Sequence, residues 1–460
     1  MLSPALRILL FAVPFSVRRM FFMGEPGLHL EAITPEQNAT LRTMWQDSAG
    51  TTLVTAVEQP VGKWICPFTG RYVSQSSAGA RPTYTRRVNL LTYSEQFDNA
   101  AWTKQRSSVS ANAATAPNGT TTADKLIEDS TASATHRIYL ATVSVVASTS
   151  IVGSCWFKAA ERSYAGIRLS STGETQEATA VINLSTGEVS TSATSYTAVS
   201  ASAQAGPDGW WRLTITATVP NGVTTVTPVL YVANALTTNH AYTGDGSSGV
   251  YVWGADLRPS SIAALNIPIY QRVTSSTDYD TEGFPPMVRG NGTSQWMSGT
   301  LDMSSTDKVL VVAGVTKYSD AAQAIIAELT ASAAANNGGL ALCAPAGASA
   351  TYSGLSRGDA TATATTGTTH AAPKPAVVTM QANIAADVLT LNVNGVDDGS
   401  SATDQGSGNY ANSTLYLLSR GGASLFSSAG ITSLTIRGGD GSAWASRLRN
   451  YAKNLVKLVY

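Results

Sequence analysis

Apolar and polar positions alternate along most of this chain, in short runs cut by glycine, asparagine, aspartate and serine. The most regular stretch is 242–257, YTGDGSSGVYVWGADL. A glycine and serine turn leads into a strand with Val250, Val252 and Gly254 facing one side. Tyr251, Trp253 and Ala255 face the other, because successive side chains of a strand alternate. Both faces are apolar, so this strand is expected in the middle of a sandwich. Similar runs occupy 136–145, 151–158, 164–169, 178–184, 211–219 and 226–232. Their length and spacing predict an antiparallel sandwich over 89–257. NLSTG at 183–187 predicts a hairpin turn, and PDG at 207–209 a turn opening the strand of Trp210 and Trp211.

The pattern lapses over 258–286, where four prolines fall, and this segment is expected as a linker. A second series then runs through 295–301, 309–318, 324–329, 340–344, 376–383, 388–393, 415–419 and 431–437. It predicts a second sandwich over 287–460. Asn394-Gly395 after LTLNV is a strong hairpin signal. The Ala/Thr-rich stretch 354–370 is expected as a long loop. Trp444, Leu448, Tyr451 and Leu455 recur at helical spacing, so a C-terminal helix is predicted over 442–458.

Residues 1–88 carry little periodicity and are cut by seven prolines, which disfavours long helices. TPEQNATLRTMW at 34–45 is the exception: Thr34 can cap, Pro35 suits the first turn, and Gln37 completes a capping box. The remainder reads as an extended arm that docks on a neighbouring subunit. The apolar run 7–17 has the length of a signal-peptide core, but Arg18-Arg19 follow it without a small-residue cleavage site. It is also too short to span a bilayer. The fold class expected is therefore mainly β: two antiparallel β-sandwiches of jelly-roll or lectin-like type behind an N-terminal arm, with a short C-terminal helix.

Composition adjusts this picture in two ways. Only 13% of residues are charged and the formal net charge is zero. Phosphate binding needs a basic surface, so nucleic acid is disfavoured as a partner. Cys66, Cys155 and Cys343 are odd in number and far apart, which offers neither a disulfide framework nor a metal site. They are expected as buried thiols of a protein folded in a reducing cytoplasm.

Several phrases resemble modular tail, fibre and appendage proteins of tailed bacteriophages. NLLTYSEQFDNAAWT at 89–103 is similar to the start of their carbohydrate-binding-module-like jelly roll. INLSTGE at 182–188, DGWWR at 208–212 and the stretch 242–257 follow in that family's order, and YQRVTSSTDYD at 270–280 resembles its exit linker. LNVNGV at 391–396 and GITSLTIR at 430–437 resemble pieces of a concanavalin-A or laminin-G-type sandwich. WQDSAGTT at 45–52 resembles a phrase seen ahead of the module. The resemblance covers about residues 40–460. It implies a virion protein made in the host cytoplasm and binding to host surface polysaccharide. Residues 1–88, read as an arm ordered by its partners, are expected to anchor the chain to capsid, portal or tail proteins. That arm, with the weakly charged sandwich faces, predicts a homo-oligomer, a trimer by family resemblance. It carries over no catalytic, cofactor or metal residue.

The chemistry the residues offer is sparse. GLSRG at 354–358 matches a nucleophile elbow, but it lacks the strand–helix context that motif requires, and only His370 follows it among histidines. Asn392, Asn394, Asp397 and Asp398 could ligate calcium, although Asn394-Gly395 already has a turn role. Trp210, Trp211, Tyr242, Tyr251 and Trp253 could stack on sugar rings, although strand aromatics are more often core. Acid pairs for glycoside hydrolysis could be drawn from Glu174, Glu177, Asp245 and Asp256. The sequons at Asn38, Asn118, Asn183, Asn291 and Asn412 matter only on a secretory route. No enzyme, cofactor or metal is expected. The alternatives are a virion-associated depolymerase or esterase, and a secreted lectin-like adhesin.

Overall fold

The computed structural model describes residues 20–21, 25–238 and 240–459. The apolar run 7–17 lies outside them. The fold is mainly β, built as two antiparallel β-sandwich units with a short C-terminal helix. One unit comprises Met1–Arg86 and Pro285–Tyr460, the other Arg87–Phe284. Among the described residues no helix is long and apolar enough to cross a membrane.

The unit Arg87–Phe284 is a jelly roll. Its first sheet runs Val189–Thr194, Glu177–Asn183, Tyr164–Ser170, Thr225–Ala233, His136–Leu140 and Trp102–Gln105, with Val143–Ser144 also pairing Thr225–Ala233. Its second runs Thr197–Ala205, Trp210–Thr218, Ser150–Ala159, Gly249–Pro259, Ala123–Glu128 and Ser107–Ala114. The chain crosses repeatedly between the sheets from Ala123 onward, and Gly249–Pro259 lies between two strands reached much earlier, Ser150–Ala159 and Ala123–Glu128. That is the double Greek key of a jelly roll. The strand Trp210–Thr218 sets Leu213, Ile215 and Ala217 into the core at period two, opposite Cys155, Gly153 and Ile151 in turn.

The central strand departs from simple alternation. Ser154 pairs Asp256 while Trp156 pairs Trp253, so two residues oppose one. Gly254 takes φ of +65° at this bulge, a backbone angle that glycine adopts without Cβ strain. Val250 and Val252 point inward before it, Ala255 and Leu257 after it. The expectation that Ala255 shares a face with Trp253 is thus corrected.

The other unit is threaded by both ends of its chain. One sheet runs Val396–Ser401, Val388–Val393, Lys374–Asn383, Lys308–Lys317, Ala429–Gly438, Met287–Arg289 and Thr83–Thr85, with Gly27–Glu31 also on Ala429–Gly438. The second runs Met44–Trp45, Lys63–Ile65, Tyr72–Ser74, Met297–Asp302, Asn412–Leu417, Ile325–Leu329, Leu340–Cys343, Ser353–Arg357 and Thr361–Thr365. Between them lies one core that holds Leu28, Leu30, Met44, Val54, Trp64, Val73 and Tyr84 beside Val311, Leu342, Leu391 and Ile431. On the far side of the first sheet, the helix Ser442–Leu455 covers Leu310, Val312 and Val377 with Ala445, Leu448, Ala452 and Val456.

Residues 27–85 are therefore strands and core of this sandwich, where the sequence had led us to expect a separate arm over 1–88. Each N-terminal strand is only two to five residues long, and Gly27–Glu31, Tyr72–Ser74 and Thr83–Thr85 pair with strands far along the chain, Ala429–Gly438, Met297–Asp302 and Met287–Arg289. The capping box is present: Thr34 Oγ1 accepts from the Gln37 amide at 3.3 Å and Gln37 Oε1 from the Thr34 amide at 2.9 Å. Asn38 is fully buried, and its side chain bonds the main chain of Thr43, Met44 and Val54.

Residues 258–284 likewise belong to the jelly-roll unit. Val273, Tyr279 and Phe284 are buried there, and Gln271 Oε1 accepts from the amides of Val88 and Asn89 at 2.8 and 3.0 Å. The stretch expected as a loop over 354–370 holds two paired strands, Ser353–Arg357 and Thr361–Thr365, with Ala362 and Ala364 buried at period two. The hairpin at Asn394-Gly395 forms as expected, with both residues at positive φ and Val393 paired to Val396.

Candidate binding site

The residues singled out in the sequence are dispersed by the fold. Ser356 lies buried in an antiparallel strand and shares a hydrogen bond with Tyr410 Oη at 2.7 Å. His370 bonds Asp398 at 2.7 Å. Asn392 accepts from the Gly395 amide and donates to Asp397, and Asn394 accepts from the Val377 amide, so both serve the hairpin. Among the described residues no group of three or more His, Cys, Asp or Glu is gathered to hold a metal. Cys66, Cys155 and Cys343 are free and buried, and burial pushes the Cys343 thiol up to about 11.

The candidate acids are each matched by a cation. Glu174 bonds Arg137 and Arg168, and Glu177 bonds Arg168 at 3.1 Å. Asp256 and Arg258 form a buried pair. Asp245 takes the Ser247 and Ser248 amides and contacts Arg162. Beside it Glu128, absent from the sequence shortlist, receives Arg162 through two nitrogens, the Tyr242 hydroxyl and the Asp245 amide. Burial works to raise the Glu128 carboxyl, yet these donors outweigh it and hold the group below its usual range. This network ties the turn before the central strand to the edge of the sandwich. It is structural.

Of the five aromatics, Trp210, Tyr242 and Trp253 are buried. Trp211 lies against the turn at Gly187, and Tyr251 packs on the cluster of Trp156, Trp210 and Trp253. None is an open platform for a sugar ring.

A cavity of about 430 Å³ opens beside that tryptophan cluster, within the jelly-roll unit. Four segments build it: the turns at 95–99 ahead of Trp102–Gln105, the bulged edge of Ser107–Ala114, the stretch expected as a linker, and the entry to Ala123–Glu128. Glu95, Gln96, Asp98 and Asn99 come from the first, Asn112 from the second, Arg272, Val273 and Thr274 from the third. Thr122 and Asp124 complete the lining. Asp124 sits on a strand paired to the central one and is almost fully buried; its oxygens accept from the Phe97 and Asn112 amides at 2.8 and 2.9 Å. Burial raises its carboxyl despite those bonds. Glu95 accepts from Tyr270 Oη at 3.0 Å, and burial raises it too. Tyr270 packs tilted against Trp253 with centroids 4.9 Å apart, and Trp253 Nε1 donates to Thr122 Oγ1 at 2.9 Å. These aromatics brace Glu95 and Thr122 from behind; the lining itself holds no aromatic residue and, apart from Val273, consists of polar and charged residues.

Sequence reading passed over these residues. The phrase containing Glu95, Gln96, Asp98 and Asn99 was noticed only for its resemblance, and the one containing Arg272 only as a linker. Nothing local marks them as neighbours. Their one sequence signal is density of Asp, Asn, Gln and Glu in segments too irregular to be strands.

No protein-family model matches the chain, and no curated protein matches its sequence. Among solved structures, the chain is similar to mouse laminin alpha1 chain domains LG4-5, with 12% identity, a TM-score of 0.26, and coverage of 68% of this chain and 88% of that one. It is similar to the ligand binding domain of botulinum neurotoxin serotype D in complex with N-acetylneuraminic acid, with 12% identity and a TM-score of 0.28. That match covers 42% of this chain and 52%, about half, of the toxin chain. A Trypanosoma rangeli sialidase in complex with the inhibitor DANA matches at 10% identity and a TM-score of 0.25, over 72% of this chain and 60% of that one. At these scores the likenesses carry no ligand or activity over to this protein.

Proposed function

We propose that this protein is a glycan-binding component of a bacteriophage virion, and that the jelly-roll cavity holds the sugar. The observation that carries the reading is the cavity itself. Its volume of about 430 Å³ falls in the range of about 300–1,000 Å³ usual for small-ligand sites. Its carboxyl, amide and hydroxyl groups suit a polyhydroxylated ligand better than an apolar one. The virion role rests on the resemblance of 89–103, 182–188, 208–212, 242–257 and 270–280 to phage appendage modules. Attachment to capsid, portal or tail proteins and assembly as a homo-oligomer are part of the same reading, supported by the low charge of the chain.

A second reading has one observation in its favour. Glu95 and Asp124, both raised by burial, line one cavity, as an acid and a nucleophile of a glycoside hydrolase would. Against it, Asp124 is only 1% exposed and its oxygens already take main-chain amides. It can position a loop but has little room to attack a sugar, which favours binding over hydrolysis.

The test is a glycan array probed with the full chain and with Gln96→Trp, which fills the cavity from an exposed position. Retention of some host-surface glycan by the wild type, lost at least roughly ten-fold in the variant, supports the reading. Equal retention by both proteins, or none by either, overturns it. Peptides of this chain in purified phage particles would support the virion role, and their absence would remove it.

A further inference from the structure

We propose that the cavity selects its saccharide by charge, taking a sugar with a free amine over its N-acetylated or acidic counterparts. The inference rests on the reading of the cavity as a glycan site.

The cations around the cavity are already engaged. Arg272 donates from Nε to Asp280 at 3.1 Å, from one terminal nitrogen to Thr274 Oγ1 at 2.8 Å, and from the other to Asp278 at 3.1 Å. Its charge is answered twice over within its own loop. Lys104 turns its Nζ onto the carbonyls of Asp98 and Asn99, at 2.7 and 2.6 Å. A carboxylate, sulfate or phosphate on a ligand would therefore find no guanidinium or ammonium group turned toward it.

The acids are differently placed. Glu95, Asp98 and Asp124 all line the cavity. Asp124 is tied to amides, whereas Glu95 is held only through side chains, those of Tyr270 and Trp253 with Arg272 near it, and Asp98 is exposed. An acidic sugar would meet three carboxyl groups. A protonated amine would meet Glu95 and Asp98 as counter-charges. Burial disfavours the Glu95 carboxylate more than Tyr270, Arg272 and Trp253 favour it, so an arriving ammonium group adds counter-charge where it is still wanted. Hydroxyl groups find acceptors in the same carboxylates and in the amide oxygens of Gln96 and Asn112, so the rest of the ring needs no further charge.

The experiment is calorimetric titration of the full chain with three oligosaccharides of one length: a glucosamine oligomer, its N-acetylated twin, and a glucuronate-containing oligomer. The amine form should bind tighter than the acetylated form by on the order of ten-fold, about 1.4 kcal/mol. The ratio should shrink as salt is raised. Glu95→Gln and Asp98→Asn should each move it toward one, while Asp302→Asn, a half-buried acid of the other unit, leaves it unchanged. Equal binding of amine and acetylated forms, or tightest binding of the glucuronate form, overturns charge selection but leaves a glycan site standing. Failure of all three to bind while the array finds another ligand also overturns it. Failure of every glycan removes the site and the selection together.

Discussion

The two sandwiches of this chain are similar in kind and opposite in construction. The jelly roll is made from one uninterrupted segment, Arg87–Phe284, whereas its companion is made from two segments separated by that whole domain. The chain leaves the companion after Thr83–Thr85 and returns at Met287–Arg289, and these strands pair directly, Met287 with Thr85 and Arg289 with Thr83. Topologically the jelly roll stands where a hairpin loop would be. The difference teaches that independence in space does not require independence in sequence. An N-terminal stretch with no visible periodicity can still be core.

The largest test of this contrast is deletion. Replacing Arg87–Phe284 with a short flexible loop should leave the companion folded, because loop closure costs grow only slowly with length and the flanking strands remain paired. Removing residues 1–86 should do the reverse. It takes Leu28, Leu30, Met44, Trp64 and Tyr84 out of one core, so the companion should lose its cooperative unfolding transition while the jelly roll keeps its own. Calorimetry on both proteins decides. If the shortened chain keeps two transitions, residues 27–85 are an appendage after all.

A single residue sharpens the same point. Trp64 is fully buried on the three-residue strand Lys63–Ile65, and its Nε1 donates to the Glu31 carbonyl at 3.1 Å. Trp64→Ala should cost about 3–5 kcal/mol, read as a fall in the companion's transition alone. A change confined to less than about 0.5 kcal/mol would mean that this strand contributes little.

How much of this was legible follows the same line. In the jelly roll, strands rich in Val, Ile, Leu and aromatics announced themselves, because their period is local. Strands such as Ser107–Ala114 and Thr197–Ala205, built of Ser, Thr and Ala and largely exposed, did not. Thr361–Thr365 was missed for the same reason: its buried members are alanines, too small to mark a face. Pairing of Gly27–Glu31 with Ala429–Gly438 is a contact between distant segments, invisible to any window. The cavity is the extreme case, since it is made where two irregular segments meet two strands from other parts of the chain. Its chemistry was in plain view as Glu95, Asp98, Asn112 and Asp124, but not its existence.

The bulge in the jelly roll offers a smaller effect with a separable cause. A Cβ on Gly254 would find ordinary contacts, 3.4 Å to Trp156 and 3.5 Å to Tyr270, yet φ is +65°. Space is not the obstacle; the backbone is. Gly254→Ala should therefore cost about 1–2 kcal/mol, lowering the jelly roll's transition and sparing the companion's. Substitution without cost would mean that the strand re-registers. Ala255 and Leu257 would then leave the core.

The smallest effects distinguish the units by pH, through carboxyls shifted in opposite senses. In the companion, burial works against the Asp398 charge, but His370 and the Thr368 amide outweigh it and hold the carboxyl below its ordinary value of 3.8. The folded form then binds its proton less readily than the unfolded chain. Its contribution is present above about pH 4 and is lost as pH falls through the depressed folded value. Asp398→Asn should thus cost about 1 kcal/mol at neutral pH and progressively less in acid. In the jelly roll, burial raises Glu95 above 4.5, so the folded form binds its proton more readily. That contribution is present below the unfolded value and fades as pH rises through the raised one. Glu95→Gln, which imitates the protonated acid, should match the wild type near pH 4 and exceed it slightly at pH 7, by less than about 1 kcal/mol. Urea unfolding of the two variants at pH 4 and 7 reads both signs. If Glu95→Gln is the less stable protein at neutral pH, the carboxylate is compensated in the cavity, and the expectation that it awaits a cationic partner loses its ground.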